Sequence, residues 1–409
     1  MAVINREFYV NKLNELKNNN RIKVLTGIKR SGKSTIMDLF INSLVNNGIP
    51  ENNIIKINFK NVANIDLTSK NEIISYIKSK IQNIEDKKYL FLDEINLVYE
   101  FEKVISILFN ENENNNLHMD FYISGLNSKM ILSKIINEIS DENVSELKIY
   151  PLSFSEYYNF YLKDKKTKKD LYKKFIQYGS FPALLNNNNK DEIKIKLEDL
   201  INSIILNDIV EYSKVSSTII LKKIIEYFYE NIGVITTDNK ITNALNATGN
   251  RISSHTADNY IKFILNAFIV YEVKRYDPKF KKILSSGNKY YASDLGIKNF
   301  LYSKNPLSNS YLLENIVCLE LLKHNYNVYV GTINWTEISF VAIKNNEVKY
   351  YQIIDSIKNN ERLYKEQFKS LLSINDNYPK CIITNDEIEK YNEQGIEVIN
   401  VIDWLLEQN

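Results

Sequence analysis

The run Gly27-Ile28-Lys29-Arg30-Ser31-Gly32-Lys33-Ser34 constrains this chain more than any other feature, because it fits G-x-x-x-x-G-K-[ST] at every fixed position. A loop that wraps a polyphosphate must bring backbone N–H groups up to phosphate oxygens, which favours glycine at the bends, and a helix must then begin with its positive end facing them. Both flanks agree. The apolar run Ile22 to Thr26 predicts a strand leading in, and Ile36, Leu39, Phe40 and Leu44 recur at the spacing of one buried helix face. Glycine numbers only 11 in 409 residues, so a full match is hard to obtain by chance. On this reading Gly27, Lys29, Arg30, Ser31, Gly32, Lys33, Ser34 and Thr35 bind the nucleotide. Lys33 reaches the β- and γ-phosphates and serves catalysis, and the Ser34 hydroxyl ligates Mg²⁺.

A second element stands about sixty residues further on, where Lys88-Tyr89-Leu90-Phe91-Leu92-Asp93-Glu94 reads as an apolar strand ending in two carboxylates. Asp93 is expected to hold the magnesium through water, and Glu94 to orient or deprotonate the attacking water. An adjacent Glu favours hydrolysis over transfer to a small molecule, and no guanine-selective N-K-x-D follows, so ATP is the expected nucleotide. The fourth strand closes with Ser124-Gly125-Leu126-Asn127-Ser128. Here Ser124 or Asn127 either senses the γ-phosphate or belongs to an ordinary turn and helix cap.

Around these motifs the first 150 residues alternate β-rich runs with amphipathic stretches. Strands are expected at 21–26, 53–59, 88–92 and 119–124 and helices at 34–45, 70–84 and 101–109, an alternation that predicts a parallel α/β sheet. Asn110 to Asn116 consists only of Asn and Glu and is expected to be a surface loop; Tyr150-Pro151-Leu152 ends the block with a turn. Residues 153 to about 231 then read as helical, with Phe154, Tyr157, Tyr158 and Tyr161 on a packing face. Residues 232–291 suggest helix, turn, helix and basic hairpin: a short helix at 243–248, a turn at Gly249-Asn250, Ser253 as N-cap and a longer helix at 256–267. A helix at 312–323 and strands at 327–330, 337–342 and 348–354 make a further α/β region from about 295.

Charge narrows the partners. Fifty-two Lys and Arg against 50 Asp and Glu leave +2, which excludes a general polycation, so any basic surface is local. Cys318 and Cys381 form no CxxC pair, the three histidines are dispersed, and no apolar run reaches the length of a signal peptide or membrane span. A cytoplasmic, non-membrane protein is expected.

The strings quoted so far, with Leu90 to Ile95 (LFLDEI), Tyr150 to Tyr157 (YPLSFSEY), Gly179 to Pro182 (GSFP), Asn207 to Glu211 (NDIVE), Lys289 to Gly296 (KYYASDLG) and Leu312 to Glu320 (LLENIVCLE), resemble bacterial and archaeal AAA-type P-loop ATPases that carry a C-terminal domain of unknown function. The resemblance covers almost the whole chain. It implies an α/β architecture of three parts: a parallel-sheet ATPase domain at 1–152, a helical region with a winged helix at 153–294, and a restriction-endonuclease-like α/β domain at 295–409. Three departures qualify it. The loop has Lys29 where the family usually has the first of two arginines, and the Gly-Arg usual before YPLSF is replaced by Ser140-Asp141-Glu142-Asn143. An arginine that stabilises the transition state is worth about 10³ to 10⁵ in rate, so ATP binding is a firmer expectation than fast turnover. In the C-terminal part Ser339 stands where the family's E-I-D-F-V run has its Asp, Gln352 stands where an acid is needed, and Ile354 takes the lysine-like place. A hydroxyl does not replace an anionic metal ligand, and Glu314 alone does not hold the metal. The domain is expected to be catalytically inactive.

The leading expectation is a Mg²⁺-dependent ATPase acting as a nucleotide-driven switch. The alternative is an ATP-bound adaptor for DNA or protein that no longer hydrolyses; an active nuclease ranks below both. Arg251, Ser253, Ser254, His255, Asn259 and Lys262 along the second helix, with Lys274, Arg275, Lys279, Lys281, Lys282 and Lys289 in the hairpin, would suit double-stranded DNA. Winged helices also serve as protein contacts, so a protein partner stays open, as does an oligomer.

Overall fold

A computed structural model describes residues 4–61, 69–82, 84–115, 117–126, 128–163, 166–185, 187, 189–211, 213, 215–247, 249, 252–285, 287–303, 308–333 and 336–408. The chain divides into two compact units, residues 1–149 with 203–212, and residues 150–202 with 213–409.

The first unit contains α1 (Glu7–Leu16), β1 (Ile22–Thr26), α2 (Lys33–Asn46), β2 (Ile54–Asn58), α3 (Lys70–Ile81), β3 (Lys88–Asp93), α4 (Phe101–Asn115), β4 (Met119–Ser124), α5 (Ser128–Ile139) and β5 (Val144–Lys148). The strands form one parallel sheet in the order β2-β3-β4-β1-β5. The three inner strands, β3, β4 and β1, are buried along their whole length because both faces are covered. Ile22, Val24, Leu90 and Leu92 pack with α3, α4 and α5, while Leu25, Tyr89, Phe91 and Tyr122 pack with α1 and α2. One polar node crosses this core: the Lys23 ammonium pairs with Asp120, which also accepts the Tyr122 hydroxyl at 2.7 Å.

Two sequence expectations change here. β5 was not expected; its VSELK run mixes polar and apolar residues, as an edge strand with half-exposed positions does. The expected loop at 110–116 is helical as far as Asn115, because Asn112 turns inward and its side-chain amide exchanges hydrogen bonds with the Met119 backbone, N–H to Oδ1 at 2.7 Å and Nδ2 to the carbonyl at 3.3 Å.

The second unit contains α6 (Phe154–Phe160), α7 (Lys168–Tyr178), α8 (Lys190–Ser203, whose last residue joins the first unit), α9 (Thr218–Glu230), α10 (Asp238–Ala247), α11 (Ser254–Asn266), β6 (Val270–Val273), β7 (Arg275–Asp277), β8 (Lys282–Ile283), β9 (Lys289–Ala292), α12 (Leu295–Leu301), α13 (Asn309–Lys323), β10 (Asn327–Ile333), β11 (Thr336–Lys344), β12 (Glu347–Ile354), α14 (Glu361–Leu372), β13 (Lys380–Thr384), β14 (Tyr391–Glu393), β15 (Ile396–Asn400) and α15 (Val401–Glu407). A mixed sheet runs β14-β15-β13-β12-β11-β10-β7-β8, and β6 pairs with β9. Strands β7 and β8 therefore carry that sheet across the expected boundary at 294/295, and the two regions on either side of it lie in one unit. Ser253 caps α11 as expected, accepting from Thr256 N–H at 3.1 Å.

The strings behind the resemblance converge in this unit as a buried polar network. Ser153 and Glu156 close a capping box on α6, and the Lys323 ammonium donates to Ser153 Oγ at 2.7 Å and lies 3.7 Å from Glu156. Asp294 accepts from Ser180 N–H at 2.5 Å, Ser180 Oγ at 2.8 Å and Gly296 N–H at 2.8 Å. Gly179 is required beside it, since a Cβ there would lie 2.1 Å from Asp294 Oδ1 at a φ of +82°. Burial still raises the Asp294 carboxyl to about 6.

Candidate functional site: a phosphate loop and its acids

The loop follows β1 and opens α2, as its sequence requires. Gly27 has φ +133° and no room for a side chain, its Cβ position lying 2.1 Å from Ile149 O; Gly32, at φ +101°, caps α2. Arg30 between them takes φ +63°, uncommon for a residue with a Cβ. Two residues to which the sequence assigns no such role brace this bend. The buried Arg6 guanidinium donates to Ser31 O at 3.0 Å and lies over the Tyr9 ring, and Ser128 Oγ, at the start of α5, accepts from Gly27 N–H at 3.0 Å.

Lys33, Ser34 and Thr35 form the first turn of α2. Lys33 Nζ donates to two carbonyls of its own loop, Gly27 O at 2.8 Å and Ile28 O at 3.1 Å. The sequence reading sends this ammonium to phosphate; in the structure it turns onto the loop, since those carbonyls are acceptors within its reach. Burial lowers Lys33 to about 8, against the opposing pull of Asp208, Glu94 and Asp93. Lys29 is half-buried and Arg30 and Thr35 are exposed. Ser31 is fully buried, and its hydroxyl has no hydrogen-bond partner among the described residues.

Strand β3 delivers the acids. Asp93 is buried and held from both sides, by the Ser124 hydroxyl from β4 and by Asn58 Nδ2 from β2 at 3.0 Å. Ser124 is therefore engaged in fixing Asp93; neither of its two expected roles, sensing phosphate or capping a turn, describes that bond. Asn127 lies outside the described residues. Glu94 follows at φ +59°, a strained backbone for a residue with a side chain. One of its oxygens pairs with Lys60 at 2.6 Å and the other is buried with no partner among the described residues. A surface depression lined by Lys56, Asn58, Lys60 and Asn61 shares Asn58 and Lys60 with this acid pair.

A third acid was missed. Asp208 belongs to a π-helical turn, Ile204–Val210, that packs in this unit; its carboxylate lies 4.0 Å from Lys29 Nζ. Burial raises it to about 6 despite Lys29 and Lys33. The available signal was the string Asn207 to Glu211 (NDIVE), which places Asp208 among the apolar residues of 204–210. At the base of the loop Thr26 Oγ1 donates to Glu146 at 2.7 Å, with Lys129 and Lys148 each 3.8 Å from the other oxygen.

These residues fit a magnesium nucleotide by the chemistry of their donors. A helix N-terminus and an ammonium face the field of three carboxylates, and a buried hydroxyl and a buried carboxylate oxygen have no partner among the described residues. No group of three or more His, Cys, Asp or Glu side chains that could hold a metal ion lies among the described residues.

The bend, the Asp93-Glu94 strand end and the parallel sheet define an AAA-type P-loop ATPase-like domain. Residues 19–158 match the family described as an AAA domain, and residues 169–308 match a domain of unknown function, DUF8612. The chain belongs to the same family as an uncharacterised protein of Haemophilus influenzae, with which it is 33% identical over 408 residues, 99% of each chain. An uncharacterised protein of Methanocaldococcus jannaschii is 28% identical over 98% of this chain and 88% of its own. Among solved structures, the Walker-type ATPase of Pyrococcus abyssi is similar at 14% identity and a TM-score of 0.49, over 73% of this chain and 96% of that one. No described helix is long and apolar enough to cross a membrane.

Proposed function

We propose that the protein binds ATP with Mg²⁺ at the 27–35 loop and hydrolyses it, using the cycle as a switch. The observation that carries this is the assembly around one ammonium of the loop, the α2 N-terminus, Asp93 and Glu94. Ser34 and Asp93 would hold the metal, which when bound neutralises charge on the phosphates. Asn58 and Ser124 keep the Asp93 carboxylate from rotating away. Lys33 leaves its two loop carbonyls to take phosphate oxygens, an exchange of neutral acceptors for charged ones. Glu94 orients the attacking water and takes its proton through the oxygen that Lys60 leaves free. Phosphate release measured for wild type, Lys33→Ala and Glu94→Gln tests the proposal; equal release by all three sinks it.

A second reading is an ATP-bound adaptor with negligible turnover. It is favoured by the Lys60–Glu94 pair, which occupies one oxygen of the expected base, and by the polar 140–143 turn where the family has an arginine. For the second unit we infer a winged helix in α9 to α11 with the β6 to β9 hairpin, contacting duplex DNA through exposed Lys279, Lys281 and Lys282. Arg251 lies outside the described residues, and Lys289 does not take part, since it is buried between Glu314 and Glu337. The C-terminal part we read as a nuclease-like fold without nuclease chemistry. Ser339 Oγ donates to Gln352 Oε1 at 2.8 Å, and Gln352 Nε2 donates to Glu337 O at 2.9 Å and Ser370 Oγ at 3.0 Å, a closed set of neutral groups where metal ligands would stand.

A further inference from the structure

The chain enters the nucleotide-site unit twice. After residues 1–149 it builds part of the second unit, and residues 203–212 then return to the first before the chain leaves again at 213. The return continues directly from α8, with Ser203 still helical, into the π-turn Ile204–Val210. Ile204, Ile205, Asp208 and Ile209 are its buried residues, and Leu206 is exposed. An acid thus sits among isoleucines on the face that anchors the segment. Packing gives no reason for it, because burying a carboxylate in such a face is costly unless a charge compensates. Part of the compensation comes from the phosphate loop. Asp208 lies 4.0 Å from Lys29, and Lys33, Lys60 and Glu94 are among the charged groups whose fields reach it. A π-turn is itself a rare element, and such turns occur disproportionately at functional sites.

The cations that the loop would offer to phosphate therefore already act on an internal anion, without offsetting its burial in full. We propose that Asp208 is a built-in competitor for the terminal phosphate. A bound nucleoside triphosphate draws Lys29 and Lys33 to itself, and the carboxylate, left beside a stronger anion, loosens residues 203–212. Because the chain runs through this segment from 202 into 213, loosening it alters the tether on both sides. The inference deepens the nucleotide reading of the same site and rests on it. A merely structural pair would behave in the opposite way: removing the acid would weaken the segment and leave nucleotide affinity unchanged or lower.

The test uses the full chain, calorimetry with Mg²⁺ and a non-hydrolysable ATP analogue, and amide exchange over 203–211 with that analogue or AMP. Asp208→Asn keeps the shape and removes the charge; Asp208→Glu keeps the charge. Asp208→Asn is expected to bind the analogue about ten- to a hundredfold more tightly, the size of one like-charge contact in a partly dry pocket. Asp208→Glu should stay within about threefold of wild type. In wild type the analogue, but not AMP, should speed exchange across the segment, and Asp208→Asn should show no such response. Unchanged or weaker binding by a folded Asp208→Asn overturns the proposal, as does a wild-type segment whose exchange is unchanged or slowed while calorimetry records binding. Absence of heat with any adenine nucleotide overturns the nucleotide reading itself, and this inference with it.

Discussion

Two lysines, one in each unit, sit among acids and behave in opposite ways: Lys33 is half-buried and Lys289 buried. Lys289 lies between Glu314 at 3.1 Å and Glu337 at 2.6 Å, and these carboxylates hold its ammonium above the ordinary value although burial pulls it down. Among the described residues Lys33 Nζ hydrogen-bonds only loop carbonyls, its acids act from further off, and burial wins, lowering it to about 8. The first cation is saturated and the second is short of negative charge. A lysine short of charge can accept an incoming anion; a saturated one closes its site. On the proposed function, this difference separates a place for chemistry from a place that holds a fold together, although both look like a lysine with carboxylates.

The comparison breaks if the two lysines respond alike to removal. Lys289→Ala leaves Glu314 buried without its counter-charge and should cost about 3–5 kcal/mol in urea unfolding. Lys33→Met should leave stability within about 1 kcal/mol of wild type, because it removes a poorly compensated charge, while lowering nucleotide affinity at least about tenfold in calorimetry. A large stability loss at Lys33, or none at Lys289, contradicts the assignment.

Titration sharpens the same contrast. Burial raises Asp208 to about 6 from the ordinary 3.8. Between about pH 4 and 6 the folded chain keeps a proton that the unfolded chain has released, so this group's contribution to stability falls as pH rises through that window and stays low above it. Asp208→Asn should therefore gain on wild type by about 1–3 kcal/mol from pH 4 to 6, with a flat difference from pH 7 to 8. Taking the difference cancels Asp294, which titrates in the same window. A difference that does not change with pH rules out a buried, proton-binding Asp208.

Ser124→Ala should have a smaller effect. With Asp93 held only by Asn58, phosphate release should fall about tenfold at low Mg²⁺ and recover at high Mg²⁺, as for other groups that orient a metal ligand. A loss that added Mg²⁺ does not restore would assign Ser124 to the phosphate instead. The smallest change is expected at the hairpin: Lys281→Ala with Lys282→Ala should weaken duplex DNA in a gel-shift by less than about a hundredfold and reduce the salt dependence by about two charges. A salt slope equal to wild type would remove these lysines from any DNA contact.

Short-range pattern determined a large part of the nucleotide unit. The glycine-bracketed run, the apolar strand before it, the helix face after it and the Asp93-Glu94 strand end are local in the chain, because backbone bends and helix starts depend on adjacent residues. The same holds for Ser253 at the head of α11. What the sequence did not disclose depends on groups far apart in the chain. Arg6 reaches Ser31, Ser128 reaches Gly27, Ser124 and Asn58 reach Asp93, and Asp208 reaches Lys29. Along the chain Lys289 is one more hairpin charge; in the fold Glu314 and Glu337 surround it. Asn112 read as part of a loop until its amide met the Met119 backbone. Bends and periodicities are properties of neighbouring residues and are written in order along the chain. Whether a charge is solvated, paired or waiting for an anion depends on which distant groups exclude water from it, and only the tertiary structure decides that.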